Sequence, residues 1–159
     1  GEIPLDRAKE MLFFEAQLEM AEALDLPVVI HDREAHGDCF EAVLRHPGVG
    51  GVFHSYSGSA EMAHELVRRG WYLSFSGTLT FKNATRVREA AGAVPRDRLL
   101  VETDAPYLAP HPKRGSLNHS GLLVYTLGAL AEIWGCTAQE AARITSENAE
   151  NLFGIRNFV

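Results

Sequence analysis

His31, His54, Glu102 and Asp104 share one placement, each falling just behind a short apolar run. His31 follows Val28-Val29-Ile30, and His54 follows Val52-Phe53. Glu102 and Asp104 follow Leu99-Leu100-Val101. If those runs are parallel strands, the polar residues stand at carboxyl ends, where barrels and open α/β sheets build their sites. Two imidazoles and a carboxylate converging from neighbouring strand ends suit borderline metals such as zinc, manganese or iron. A metal held there would lower the pKa of water and yield a nucleophile near neutral pH. The rival reading is structural, since a lone histidine behind a strand more often serves through hydrogen bonds. Three polar strand ends in succession bring the two readings level. His36, His46, His64 and His111 fall on helices or loops and read as surface residues.

The elements that would position these residues alternate. From Asp6 to Leu24, Met11, Phe14, Leu18 and Ala21 step by three and four, which predicts an amphipathic helix. Pro27 to Ile30 reads as a buried strand. Asp38 to Leu44 reads as a short helix closed by His46-Pro47-Gly48. Gly51 to Phe53 is the next strand and Ala60 to Arg69 the next helix. Trp71 to Phe75, a helix around Asn83 to Ala91, and Leu99 to Val101 continue the series. A loop rich in proline and basic residues runs from Pro106 to Gly115. Leu123, Leu127, Leu130 and Trp134 mark a longer helix. Thr137 and Glu140 have capping-box spacing for another, and a last short helix ends at Gly154. Short apolar strands alternating with helices predict an α/β fold with a parallel sheet, in a single domain over 1–159.

Composition narrows the function. The 159 residues are 46% hydrophobic and 23% charged, as one globular unit requires. No run approaches the roughly 18 apolar residues of a membrane span, and the start lacks the plan of a secretory signal, so no membrane partner is expected. A net charge of −6 argues against a basic sheath that grips nucleic acid by charge alone. It leaves open an enzyme that meets phosphates through bound cations. Cys39 and Cys136 lack metal-type spacing and read as free, buried thiols, which points to a reducing, cytoplasmic setting.

Four segments, in order, resemble the TatD-like metal-dependent hydrolases. Leu26-Pro27-Val28-Val29-Ile30-His31-Asp32-Arg33-Glu34-Ala35-His36 is similar to their LPVxIHxRxAH segment, and His54-Ser55-Tyr56-Ser57-Gly58 to HxFSG. Glu102-Thr103-Asp104-Ala105-Pro106-Tyr107-Leu108 is similar to ETDxPYL, and Asn148-Ala149-Glu150-Asn151-Leu152-Phe153-Gly154 to the closing NxxxLFG. The resemblance implies a (β/α)8 barrel of TIM type holding two divalent metals (Mg, Mn or Zn). It also implies hydrolysis of DNA, often as a 3′-to-5′ exonuclease. It makes His31 and His54 ligands of one metal. Asp104 becomes a ligand of the other and the group that activates water. Arg33, Tyr107 and Asn118 would line the substrate site.

Departures from the family pattern qualify this. The HxH pair of the family's first strand is absent, and only four strands are read, about half a barrel. The expectation is therefore the C-terminal part of a barrel with its N-terminal strands missing. Gly1-Glu2-Ile3-Pro4-Leu5-Asp6 resembles GEIGLD, which would make Glu2 a bridging ligand. Alternatively, Pro4 belongs to the loop before the helix and the match is accidental. Ser116-Leu117-Asn118-His119 stands where the family often has RNEP, keeping only the asparagine. Lys113 and Arg114 read either as phosphate contacts or as parts of a solvated loop. With Glu2, His31 and His54 one metal site could assemble, so weak or absent activity is expected for the chain alone. An open half-barrel would also self-associate or pair with its missing half. Two rival functions stand beside a DNA phosphodiesterase: an amidohydrolase-type enzyme on small esters or amides, and a catalytically dead barrel remnant serving as an assembly module.

Overall fold

Asp6 starts the first helix for a local reason: its side chain accepts a hydrogen bond from the Lys9 backbone amide, satisfying one orphan donor of the first turn. In this computed structural model, residues 6–33 and 35–155 are described. Glu2 lies outside them. Helix α1 (Arg7–Leu24) ends at Asp25, whose φ of 52° turns the chain into strand β1 (Val28–His31). Then follow α2 (His36–Arg45), β2 (Gly51–His54), α3 (Ala60–Arg68), β3 (Tyr72–Phe75), α4 (Thr85–Ala93) and β4 (Leu99–Val101). Helices α5 (Leu123–Trp134) and α6 (Ala138–Phe153) close the chain. Ser59 caps α3 and Thr137 caps α6, each accepting from a backbone amide three residues on.

The strands form one parallel sheet in the order β1-β2-β3-β4, so the described residues show the α/β class read from the sequence. Register pairs Ile30 with Phe53, Phe53 with Leu73 and Leu73 with Leu99. This row is at most 3% exposed, and the helices pack on it through Leu18, Ala42, Val43, Leu66, Ala90 and Leu130. Trp71 crosses Phe53 edge-on at 5.2 Å. A strand's side chains alternate between faces, so His31 and His54 stand on the opposite face from Ile30 and Phe53, paired with each other in register. Gly51 permits the close approach of β1 and β2. A Cβ there would lie 2.0 Å from the Val28 carbonyl oxygen.

Two expectations need correction. The end of the chain is one continuous α6, without a separate last short helix, because 138–153 contains no proline or glycine to break it. Gly154, at φ 64°, caps that single helix. Cys136 is half-buried, not buried like Cys39, because it sits in the turn after α5.

Candidate metal centre

Strand β2 delivers His54 and strand β4 delivers Glu102 and Asp104 to the same sheet end. His54 Nδ1 lies 2.6 Å from Glu102 Oε1, and His54 Nε2 lies 3.5 Å from Asp104 Oδ1. One ligand atom from each falls within 4.8 Å of the others, a spacing that could hold a metal ion. The imidazole is thus flanked by a carboxylate at each nitrogen. The sequence reading put Asp104 at a separate metal from His54, whereas here the two share one cluster. His31 stands beside it, its ring 5.3 Å from that of His54.

Backbone geometry holds this arrangement. Asp104 has a φ of 55° and Ser55 a φ of 45°, both in the left-handed region. Strained residues of that kind collect at functional sites, where surrounding contacts over-determine them. Ser55 donates its backbone amide to Glu102 Oε2 at 3.2 Å, and its hydroxyl bonds Ser76 at 2.9 Å. Beneath the loop after β4, the Asn118 amide donates to the carbonyls of Thr103 and Tyr107, each at 2.6 Å. Asn118 is 3% exposed, so it serves as a strut under the loop carrying Asp104, not as the substrate contact expected from the sequence. Gly77 admits the same loop: a Cβ there would lie 2.4 Å from the Leu108 carbonyl oxygen.

The cluster opens on a cleft of about 900 Å³, and His31, His54 and Asp104 line it with Arg33 and Tyr107. Among its other lining residues are Asp32 and His36, neither of which the sequence placed at the site. Asp32 is buried, and its Oδ2 lies 2.6 Å from Nδ1 of His36. His36 is therefore a cleft residue, not a surface one. The pair is spaced i,i+4, a spacing shared by many surface pairs on helices, and nothing in the sequence marked it. Nor is His46 a surface residue, since it meets Glu15 of α1 with Arg45 beside it. Those two partners hold the Glu15 carboxyl below the usual carboxylate range.

The donor set fits a divalent cation. Glu102 Oε1 is buried and finds no hydrogen-bond partner despite the nearness of His54. Asp32 Oδ1, in the same cleft, is also buried without a partner. A buried carboxylate oxygen lacking a donor is costly unless a cation satisfies it. Imidazole and carboxylate together suit zinc, manganese and similar ions, and a parallel sheet carrying them at its strand ends has the layout of the α/β hydrolytic metal sites.

Comparison with known proteins specifies the class. The family model described as TatD related DNase matches residues 3–154, and the chain belongs to that family. It is 43% identical over 155 residues to an uncharacterized metal-dependent hydrolase of Bacillus subtilis, YabD, covering 96% of this chain and 60% of YabD. It is 42% identical over 144 residues to an uncharacterized metal-dependent hydrolase of Mycobacterium tuberculosis, TatD, covering 89% of this chain and 54% of that protein. The crystal structure of YJJV, a TatD homolog from Escherichia coli, superposes with a TM-score of 0.81 at 31% identity. That match covers 88% of this chain and 54% of YJJV. The chain thus spans about 60% or less of the length of these relatives.

Proposed function

We propose that this chain carries the catalytic face of a metal-dependent phosphodiesterase that shortens DNA in the 3′-to-5′ direction. The observation that carries this reading is the His54, Glu102 and Asp104 donor set, gathered at the strand ends above a cleft that also exposes Arg33. Family membership supports it, as does the description of several relatives as metal-dependent hydrolases.

His54 and Asp104 would hold the cation, with Glu102 and His31 beside them. A divalent ion bound there would supply a water-derived nucleophile near neutral pH and offset the charge of the phosphate. The chain's own groups do the rest. Asp104 accepts the proton of the attacking water as its oxygen bonds to phosphorus. Arg33 and the Tyr107 hydroxyl hold the non-bridging oxygens, the guanidinium matching their spacing with two N–H groups. The bond from phosphorus to the leaving oxygen breaks, and that oxygen takes a proton from solvent in the open cleft.

The test is cleavage of an end-labelled single-stranded oligonucleotide with Mg²⁺ or Mn²⁺, alongside an EDTA control and the Asp104→Asn variant. Slow stepwise shortening, weak because the chain spans about 60% or less of its relatives' length and abolished by both controls, is the expected result. No cleavage by the chain, or cleavage that survives Asp104→Asn, overturns the reading.

A further inference from the structure

A second cavity, of about 560 Å³, adjoins the cleft, and Thr78 and Val87 line both. Its remaining walls include Phe81, Lys82, Asn83, His111 and Arg114, and no aspartate or glutamate is among the lining residues. That composition runs against the rest of the chain, in which 21 acidic residues outnumber 15 lysines and arginines. Among the described residues, none of Lys82, His111 and Arg114 enters an ion pair, a state they share with Arg33, Arg86, Arg98 and Lys113, while Arg7, Arg45, Arg68, Arg69, Arg88, Arg96 and Arg143 are paired. Unpaired cations concentrated beside a reaction cleft lack an anion.

The wall is built rather than merely solvated. The Arg114 guanidinium lies 4.2 Å from the centre of the Phe81 ring. An arginine held over an aromatic face keeps its N–H groups directed outward at its edges, ready to donate to phosphate oxygens. The loop presenting it is tied down: the His111 amide donates to Thr80 Oγ1 at 2.8 Å, and that hydroxyl donates to the Gly77 carbonyl at 2.6 Å. Lys113 and Ser116 close the turn onto the carbonyls of Pro110 and Lys113.

We infer that this annex binds the phosphate backbone of a single nucleic-acid strand, next to the linkage held in the cleft. The assignment rests on the phosphodiesterase reading for the cleft itself. It makes the substrate a polynucleotide: a small mono-ester or amide would reach only the first cavity and have no use for the second. Lys82 and Arg114 supply the main charge, and His111 and Asn83 add N–H donors. The contacts are to phosphate, so they position the strand without reading its sequence.

The test is fluorescence anisotropy of a fluorescein-labelled thymidine dodecamer at several salt concentrations, in EDTA so that no cleavage occurs. The doubly substituted K82Q/R114Q chain is compared with the unsubstituted chain and with R68Q/R143Q, which loses two cations that do not line the annex. All four side chains are exposed, so circular dichroism should be the same throughout. The expected result is an affinity about tenfold lower in K82Q/R114Q and a salt slope about 1.4 shallower, with R68Q/R143Q unchanged. Equal losses in both variants would mean a bulk charge effect and overturn the assignment, as would no loss in K82Q/R114Q or no binding by the unsubstituted chain. The two readings fail separately. Binding lost as expected, without any metal-dependent cleavage, leaves the annex standing and removes the catalytic reading. Cleavage with undiminished dodecamer affinity in K82Q/R114Q does the reverse.

Discussion

His54 is a useful place to see one residue's role set by its neighbours. Glu102 lies at its Nδ1 and Asp104 at its Nε2. Carboxylates set against a metal-binding imidazole typically tune metal affinity ten- to a hundredfold. Glu102→Gln keeps the size of the side chain and one oxygen able to accept from the Ser55 amide, but removes the charge. Mn²⁺ affinity measured by titration calorimetry should fall about ten- to a hundredfold, with an unaltered circular dichroism spectrum. An affinity equal to that of the unsubstituted chain would exclude Glu102 from the centre. The placement of Glu102 was visible in the sequence, two residues before Asp104 at the same strand end. Its partnership with His54 was not, because the 47 positions between them are bridged only by strand register. Asn118 shows the converse: an asparagine in a matching segment says nothing of whether its amide faces a substrate or the backbone of its own loop.

At the scale of elements, α2 packs Cys39, Ala42 and Val43 into the core. Burial, then the charges of Asp32 and Asp38, push the Cys39 thiol from 9.0 up to about 11. The unfolded chain would ionise this thiol near 9 while the folded chain keeps its proton to about 11. Within that window the unfolded state binds fewer protons, so stability falls as pH rises. The contribution is complete below pH 9 and is lost through pH 11. Burial also raises the Tyr56 hydroxyl above its ordinary value of 10.0, which extends the loss in the same direction. Melting temperatures recorded by circular dichroism from pH 8 to 11 should therefore decline above pH 9, and less steeply for Cys39→Ala. Parallel declines in the two proteins would show that Cys39 does not set the slope. The helices and strands themselves were legible because their apolar periods and caps are local. The single α6 was misread where a local cue, the glycine at 154, suggested a short last helix. Tertiary ties such as Asn148, whose amide donates to the carbonyls of Arg96 and Leu99, hold one long helix against β4.

At the scale of the whole molecule, helix α1 carries apolar residues on two sides. Leu18 and Ala21 face the core, while Leu12, Phe13, Met20 and Leu24 are each more than half exposed, as is Val29 on the neighbouring edge strand β1. Exposed apolar side chains on α1, and a β1 edge that pairs with no other strand among the described residues, both favour association. The relatives are longer than this chain, which spans 60% of YabD, so this face need not be open in every member of the family. For the 159-residue chain the expected outcome is concentration-dependent self-association through α1 and β1. Static light scattering at micromolar concentrations should give a mass of at least two chains. Leu12→Lys with Phe13→Glu places charges at two exposed positions that contribute nothing to the core, so the fold should persist while the mass falls to that of one chain. A monomer without the substitutions would sink the idea. An assembly unaffected by them would move the contact away from α1, to a surface that carries other exposed apolar residues such as Leu117 and Val124.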